Sequence, residues 1–168
     1  LGSRYSSTTN ANAIVYSLTD LDTANWFKNN LMRYGSYAFY YMGINNTTLE
    51  RSTIIDNNTM DSMYYSGIFV LYHDNANINN NTIKNLQYSF GGYGIYSYYC
   101  SNGSFSNNSI TSLAGSNSVG IYAYYCTNYL IQSNSVYGFS GQGGSGLYIS
   151  YSTPLRIIKN YIRSEEHT

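Results

Sequence analysis

Three residues that could ligate a soft metal ion recur at one position of an internal repeat. His73, Cys100 and Cys126 each stand six residues after a glycine that opens a repeated segment, and Tyr41 and Ser152 hold the same place in the outer copies. Thiolates and an imidazole together can bind zinc or copper. The trio lacks a fourth ligand, however, and ligands strung along a straight column do not surround an ion. We therefore expect small buried side chains and no cofactor, with a metal site or a Cys100–Cys126 disulfide as alternatives.

Carboxylates are too scattered along the chain to indicate a catalytic pair. Glycoside hydrolases generally use two acids that flank the scissile bond. The acids outside the last six residues are Asp20, Asp22, Glu50, Asp56, Asp61 and Asp74. No two of them share a register in different repeats, so we expect solvated acids in turns and no active site within this chain.

Aromatic side chains occupy a second column, two residues after each glycine. Exposed rings in a row can stack on sugar faces, and the tyrosine hydroxyl adds polar contacts. Cross-strand ring contacts can also simply stabilise a sheet. The column predicted to face outward contains Tyr37, Phe69, Tyr96, Tyr122 and Tyr148, with Phe39, Tyr98 and Tyr124 beside it. These residues form our candidate ligand-binding ladder.

The columns arise from a repeat whose copies are nearly identical. GIYSYYCSNGSFSNNSI at Gly94–Ile110 matches GIYAYYCTNYLIQSNSV at Gly120–Val136, and a third copy starts at Gly146, again 26 residues on. Apolar or small residues alternate with aromatic ones after each glycine, which predicts a β-strand with one buried face. Apolar residues at the eleventh and sixteenth positions predict two further short strands per copy. A fixed period of this size indicates a solenoid of stacked coils.

An invariant asparagine fourteen residues after each glycine favours a β-solenoid over a β-sandwich. Stacked at one turn, such side chains can hydrogen-bond to one another from coil to coil, and Asn also tolerates a left-handed backbone. The predicted ladder consists of Asn30, Asn58, Asn81, Asn108, Asn134 and Asn160. We expect about six coils of roughly 26 residues, the first and last incomplete, with a loop around MGINNTTLE.

The pattern G-I-Y-x-Y-x-(C/S)-x-N-x-x-I-x-x-N-x-I resembles the repeat of NosD-like and carbohydrate-associated β-helix proteins over about residues 27–162. The resemblance implies an all-β, right-handed parallel β-helix solenoid in a secreted, cell-surface or periplasmic protein. We expect a structural stalk or a polysaccharide-binding platform. The alternatives are a non-catalytic part of a larger polysaccharide lyase or glycoside hydrolase, or a metal-associated periplasmic protein, because the resemblance implies copper for NosD relatives.

Composition argues against several partners. Only 10% of residues are charged and the formal net charge is zero, which disfavours nucleic acid binding. No apolar run is long enough to span a membrane. The chain begins at Leu1 without methionine, and RSEEHT at 163–168 matches a translated sequencing-adapter sequence. We expect residues 1–162 to be a β-helix fragment that further coils or modules continue at both ends, followed by a non-native tail.

Overall fold

The computed structural model describes residues 8–19 and 21–163, so the predictions for Asp20 and for residues 164–168 lie outside the described residues. Within this range the strands stack coil upon coil into three six-stranded parallel sheets, preceded by one 3₁₀ turn at Asn10–Asn12. The predicted all-β parallel solenoid of about six coils is thus confirmed. No helix among the described residues has the length and apolarity of a membrane span.

Each coil contributes one strand to each sheet. The first sheet consists of Ala13–Ser17, Tyr37–Met42, Ser66–Leu71, Tyr93–Tyr98, Val119–Tyr124 and Ser145–Ser150. The second consists of Trp26–Lys28, Ile54–Asp56, Asn77–Asn79, Ser104–Ser106, Tyr129–Gln132 and Leu155–Ile158. The third consists of Leu31–Arg33, Thr59–Asp61, Thr82–Leu86, Ser109–Leu113, Ser135–Phe139 and Tyr161–Ile162. A further short pair joins Glu50–Arg51 to His73–Asp74.

The inward side chains of the three sheets form one continuous core. Ile95, Phe105 and Ile110 represent the three inward columns of a single coil, and each is fully buried. Ile95 pairs in register with Ile68 and Ile121 of the neighbouring coils, so like side chains stack on like. Burying such a side chain stabilises the fold by about 1.5–3 kcal/mol. No coil encloses this face alone, so stability comes from stacking.

Asparagine side chains form a continuous hydrogen-bonded ladder between the second and third sheets. Oδ1 of Asn108 accepts from the backbone N–H of Asn81 at 3.0 Å and from its Nδ2 at 3.0 Å. Nδ2 of Asn108 donates to the Ile78 carbonyl at 2.8 Å and to Asn134 Oδ1 at 2.9 Å. Both amide hydrogens and both oxygen lone pairs are therefore used. Amide-to-amide bonds join the whole series Asn30, Asn58, Asn81, Asn108, Asn134 and Asn160.

The left-handed residue of this turn is the one that precedes the ladder asparagine. Asn80 and Asn107 have φ of 56°, Ser133 of 54° and Lys159 of 52°. The sequence interpretation gave the ladder asparagines both the left-handed turn and the ladder, and the structure divides these roles between neighbours. Serine and lysine serve at the turn position, whereas the ladder position needs an amide that can both donate and accept.

Four of the six first-sheet strands contain a glycine that lies in a crowded corner against the third sheet, namely Gly67, Gly94, Gly120 and Gly146. A Cβ atom on Gly94 would be 2.6 Å from Cγ2 of Ile110 and 2.5 Å from the Gly120 carbonyl oxygen. One upstream coil has Ala38 at this position, and its third-sheet strand carries Met60 where the next coil has isoleucine. Methionine has no branch at Cβ, so it leaves room for the extra methyl group.

Candidate functional site

The outer surface of the first sheet carries three rows of aromatic side chains, which we call the aromatic face. The first row contains Tyr16, Tyr40, Phe69, Tyr96, Tyr122 and Tyr148. The second row, two residues further along the strands, contains Tyr98 and Tyr124. The third row, at the strand ends, contains Tyr72, Tyr99, Tyr125 and Tyr151. The six residues predicted for the ligand-binding ladder from Phe69 onwards all lie in the first two rows, and the third row lies beside them.

Many rings of the aromatic face contact one another face to face across the coils. The centroids of Tyr99 and Tyr125 are 4.6 Å apart with planes at 2°, and those of Tyr125 and Tyr151 are 4.9 Å apart at 13°. Phe69 and Tyr96 are 4.3 Å apart at 5°. Adjacent strands lie about 4.8 Å apart, so the coil spacing itself sets this stacking. Rings stacked in this way offer their edges and hydroxyl groups to a ligand.

The tyrosine hydroxyls of this face are neutral hydrogen-bonding groups at ordinary pH. Burial raises the pKa of Tyr96, Tyr98, Tyr122 and Tyr124 above the usual value of a phenol. Each hydroxyl can therefore both donate and accept a hydrogen bond. Tyr151 is the most accessible ring of the face, with 70% of its surface exposed.

Tyr37 is not part of the aromatic face, contrary to the sequence prediction. The strand register pairs Tyr40 with Phe69, so Tyr40 holds the row position. Tyr37 is 5% exposed, and its hydroxyl donates to the Thr8 carbonyl at 3.1 Å. A ring enclosed in this way is unable to contact a ligand on the sheet surface.

Phe39 and Tyr41 also lie elsewhere than predicted. Both are buried in the core, with exposures of 0% and 2%. The sequence alignment placed Gly35 in the glycine column, but the register assigns that column to Ala38. A shift of three residues is odd, so Phe39 lies on the inner face of the strand and not on the predicted outer face. Tyr41 pairs with Val70, so it is not part of the His–Cys column.

The third aromatic row was missed by the sequence prediction, although four copies of the repeat carry tyrosine five residues after the glycine. Strict alternation assigns this position to the inner face. Tyr72 and Tyr125 have φ of 61° and 51°, however, and both rings are half-buried at the outer surface. The left-handed turn ends the period of two and adds a row that the alternation does not contain.

The predicted His–Cys column lies inside the solenoid. In register, the column reads Glu50, His73, Cys100, Cys126 and Ser152. His73 is fully buried, and its Nε2 lies 3.2 Å from the Tyr41 carbonyl. A carbonyl can only accept, so Nε2 carries the proton, and Nδ1 has no hydrogen-bond partner within residues 8–19 and 21–163. Burial lowers the pKa of His73 to about 4, which keeps the ring neutral at pH 7.

The cysteines of this column do not fit a metal centre. Sγ of Cys100 donates to the Val70 carbonyl at 3.8 Å, and Sγ of Cys126 donates to the Ser97 carbonyl at 3.6 Å. Burial raises the pKa of the Cys100 thiol well above its usual range, and the hydrogen bond with Cys100 lowers the pKa of the Cys126 thiol. A metal requires thiolates, so Cys100 in particular is unsuited as a ligand. Among the described residues, no three His, Cys, Asp or Glu side chains are placed to share an ion. Both cysteines are free thiols.

One pair of acids shares a register, contrary to the sequence interpretation. A parallel bridge one residue further along brings Asp22 beside Glu50 of the next coil. Glu50 is only 1% exposed, and its Oε1 accepts from the Tyr41 hydroxyl at 3.1 Å and from Nδ2 of Asn25 at 3.4 Å. Burial raises the pKa of Glu50. Its hydrogen bonds and enclosure make this carboxylate part of the core packing, out of reach of a polymer on the surface.

The stacked parallel sheets with an aromatic outer face define a β-solenoid protein of the parallel β-helix class. The chain belongs to the NosD family, described as periplasmic copper-binding protein (NosD), whose profile matches residues 3–168. The family resemblance drawn from the repeat is thereby confirmed. Neither the curated proteins nor the solved structures gave a match.

Proposed function

We propose that this chain is a periplasmic or extracellular solenoid that binds polysaccharide on its aromatic face. The observation that carries the proposal is the row of Tyr72, Tyr99, Tyr125 and Tyr151, which runs over four coils on the outer surface. A contiguous aromatic patch of this kind is typical of interaction surfaces. Because the tyrosine recurs in each of these coils, the row suits a polymer that extends across several coils. The periplasmic description of the family supports the location.

A structural stalk is the second candidate, and the ring contacts themselves favour it. A stacked aromatic pair contributes about 0.5–1.5 kcal/mol beyond its buried area. The rows therefore stabilise the coils whether or not they bind a ligand. The two functions differ in what the loss of one ring does to binding in a variant that remains folded.

Affinity electrophoresis in gels that contain polysaccharide separates these two functions. Tyr125→Ala should weaken the binding measured by retardation about fivefold, because one aromatic ring contributes on the order of 1 kcal/mol. The matched control is Tyr137→Ala, since Tyr137 is 40% exposed on the third sheet. Equal retardation of both folded variants and the wild type would leave the stalk as the function.

The indication of copper binding comes from the description of the family alone. Since the thiols donate to backbone carbonyls, we propose that His73, Cys100 and Cys126 serve the packing of this chain. After incubation with copper and desalting, the wild type and Cys100→Ser should retain the same substoichiometric amount of metal. One copper ion per wild-type chain that is lost in Cys100→Ser would contradict this proposal.

A further inference from the structure

The aromatic face carries no charged residue. None of the six first-sheet strands contains Asp, Glu, Lys, Arg or His. Between Lys84 and Arg156 the chain has none of these residues at any position. The second and third rows beyond Tyr72 lie in this uncharged stretch, so a bound polymer would meet only neutral groups there.

Three cations of the described chain are paired with acids on the second and third sheets. Lys28 lies 3.8 Å from Asp56 on the second sheet. Arg33 and Lys84 lie 3.7 Å and 3.9 Å from Asp61 on the third sheet. These side chains are therefore not directed at a ligand on the first sheet.

Neutral sugars match this surface chemically, and anionic sugars do not. A tyrosine hydroxyl donates and accepts hydrogen bonds, as a sugar hydroxyl does. A carboxylate or sulfate group would lose hydration against the rings without gaining a cation as partner, and an unpaired desolvated charge costs several kcal/mol. The apolar C–H groups of a sugar ring, by contrast, pack on aromatic side chains at no such cost.

We infer that the aromatic face selects neutral polysaccharides and rejects polymers of uronic acids or sulfated sugars. The inference rests on the proposed function and adds the chemical class of the ligand. The polymer lies along the solenoid axis, because the rows run across the coils. The third row spans three coil steps of about 4.8 Å, or roughly 14 Å.

Affinity electrophoresis with two sets of probes tests the ligand class. The neutral probes are hydroxyethylcellulose, galactomannan and arabinoxylan, and the anionic probe is polygalacturonate, each at low and high salt. We expect at least one neutral probe to retard the protein at both salt concentrations and polygalacturonate to bind at least tenfold more weakly. Tighter, salt-sensitive binding of polygalacturonate would overturn the ligand class while the binding platform stands. Retardation by none of the four would overturn the platform and the ligand class together.

A charge introduced on the face provides the second arm of the test. Ser150 lies beside Tyr124 in the second row, and Gln132 lies on the second sheet. Ser150→Lys should gain salt-sensitive retardation by polygalacturonate of at least tenfold, and Gln132→Lys should not. Equal gains in the two variants would show that the aromatic face does not set the ligand class, and would overturn the inference.

Discussion

Single asparagines stabilise this fold through all of their hydrogen-bonding atoms. Asn108 is 1% exposed and forms four hydrogen bonds with its side-chain amide. Its removal leaves the Asn81 backbone N–H and one Nδ2 hydrogen of Asn81 without an acceptor in a buried turn, at about 1–3 kcal/mol each. We predict that Asn108→Ala lowers the free energy of unfolding by about 3 kcal/mol or more in urea denaturation.

The matched control for this prediction is Asn46→Ala. Asn46 is exposed in the loop between the strands Tyr37–Met42 and Glu50–Arg51, and a surface substitution of this kind changes stability by about 0.5 kcal/mol or less. If Asn108→Ala costs no more than Asn46→Ala, the ladder does not stabilise the solenoid.

His73 makes the stability of the protein depend on pH. Burial lowers its pKa from 6.5 to about 4 on folding. Above pH 6.5 the ring is neutral in both the folded and the unfolded chain. Between pH 6.5 and 4 only the unfolded chain binds the proton, so the free energy of unfolding falls as the pH falls towards 4. From this residue we predict a loss of about 3 kcal/mol of unfolding free energy between pH 7 and pH 4.

The variant His73→Gln isolates this effect in urea denaturation at the two pH values. Glu50 acts in the opposite direction, because burial raises its pKa, but it is present in both proteins. The variant should lose less stability than the wild type over the same interval. Identical pH dependence of the two proteins would contradict the assignment to His73.

At the scale of strands and turns, a glycine in four of the six first-sheet strands sets how closely the first and third sheets approach. A Cβ atom on Gly94 would overlap Ile110 and the Gly120 carbonyl. Such overpacking costs about 1–3 kcal/mol, so we predict that Gly94→Ala lowers the free energy of unfolding by that amount. The coil that has Ala38 at the glycine position has Met60 at the isoleucine position. The double variant Gly94→Ala with Ile110→Met should therefore recover part of the stability lost in Gly94→Ala. Strictly additive losses in denaturation curves would contradict this account.

The regular coils could be predicted from the sequence because each repeat meets the same surroundings. The asparagine column and inward residues such as Ile95 recur at one spacing, so alignment alone identifies them. Upstream, the loop at 43–49 and the replacement of glycine by Ala38 shift the register, and Tyr37 was misassigned for that reason. The third row, which contains Tyr125, was not predicted because a left-handed turn interrupts the alternation of inward and outward side chains.

For the whole molecule, the described ion pairs and the aromatic face lie on different sheets. The described ion pairs lie on the second and third sheets, with Asp56 and Asp61 as acceptors. The first sheet is uncharged and exposes tyrosine rows across successive coils. This separation leaves a continuous neutral surface along the solenoid, which is the basis of the proposed binding function.

A tyrosine footprint tests the binding face most directly. Exposed tyrosines would be nitrated with and without a neutral polysaccharide that retards the protein, and the sites read by peptide mass spectrometry. The account predicts protection of Tyr125, Tyr148 and Tyr151 on the aromatic face, with Tyr137 and Tyr161 on the third sheet modified as before. Protection of the third-sheet tyrosines alone, or to the same degree as the aromatic face, would contradict it.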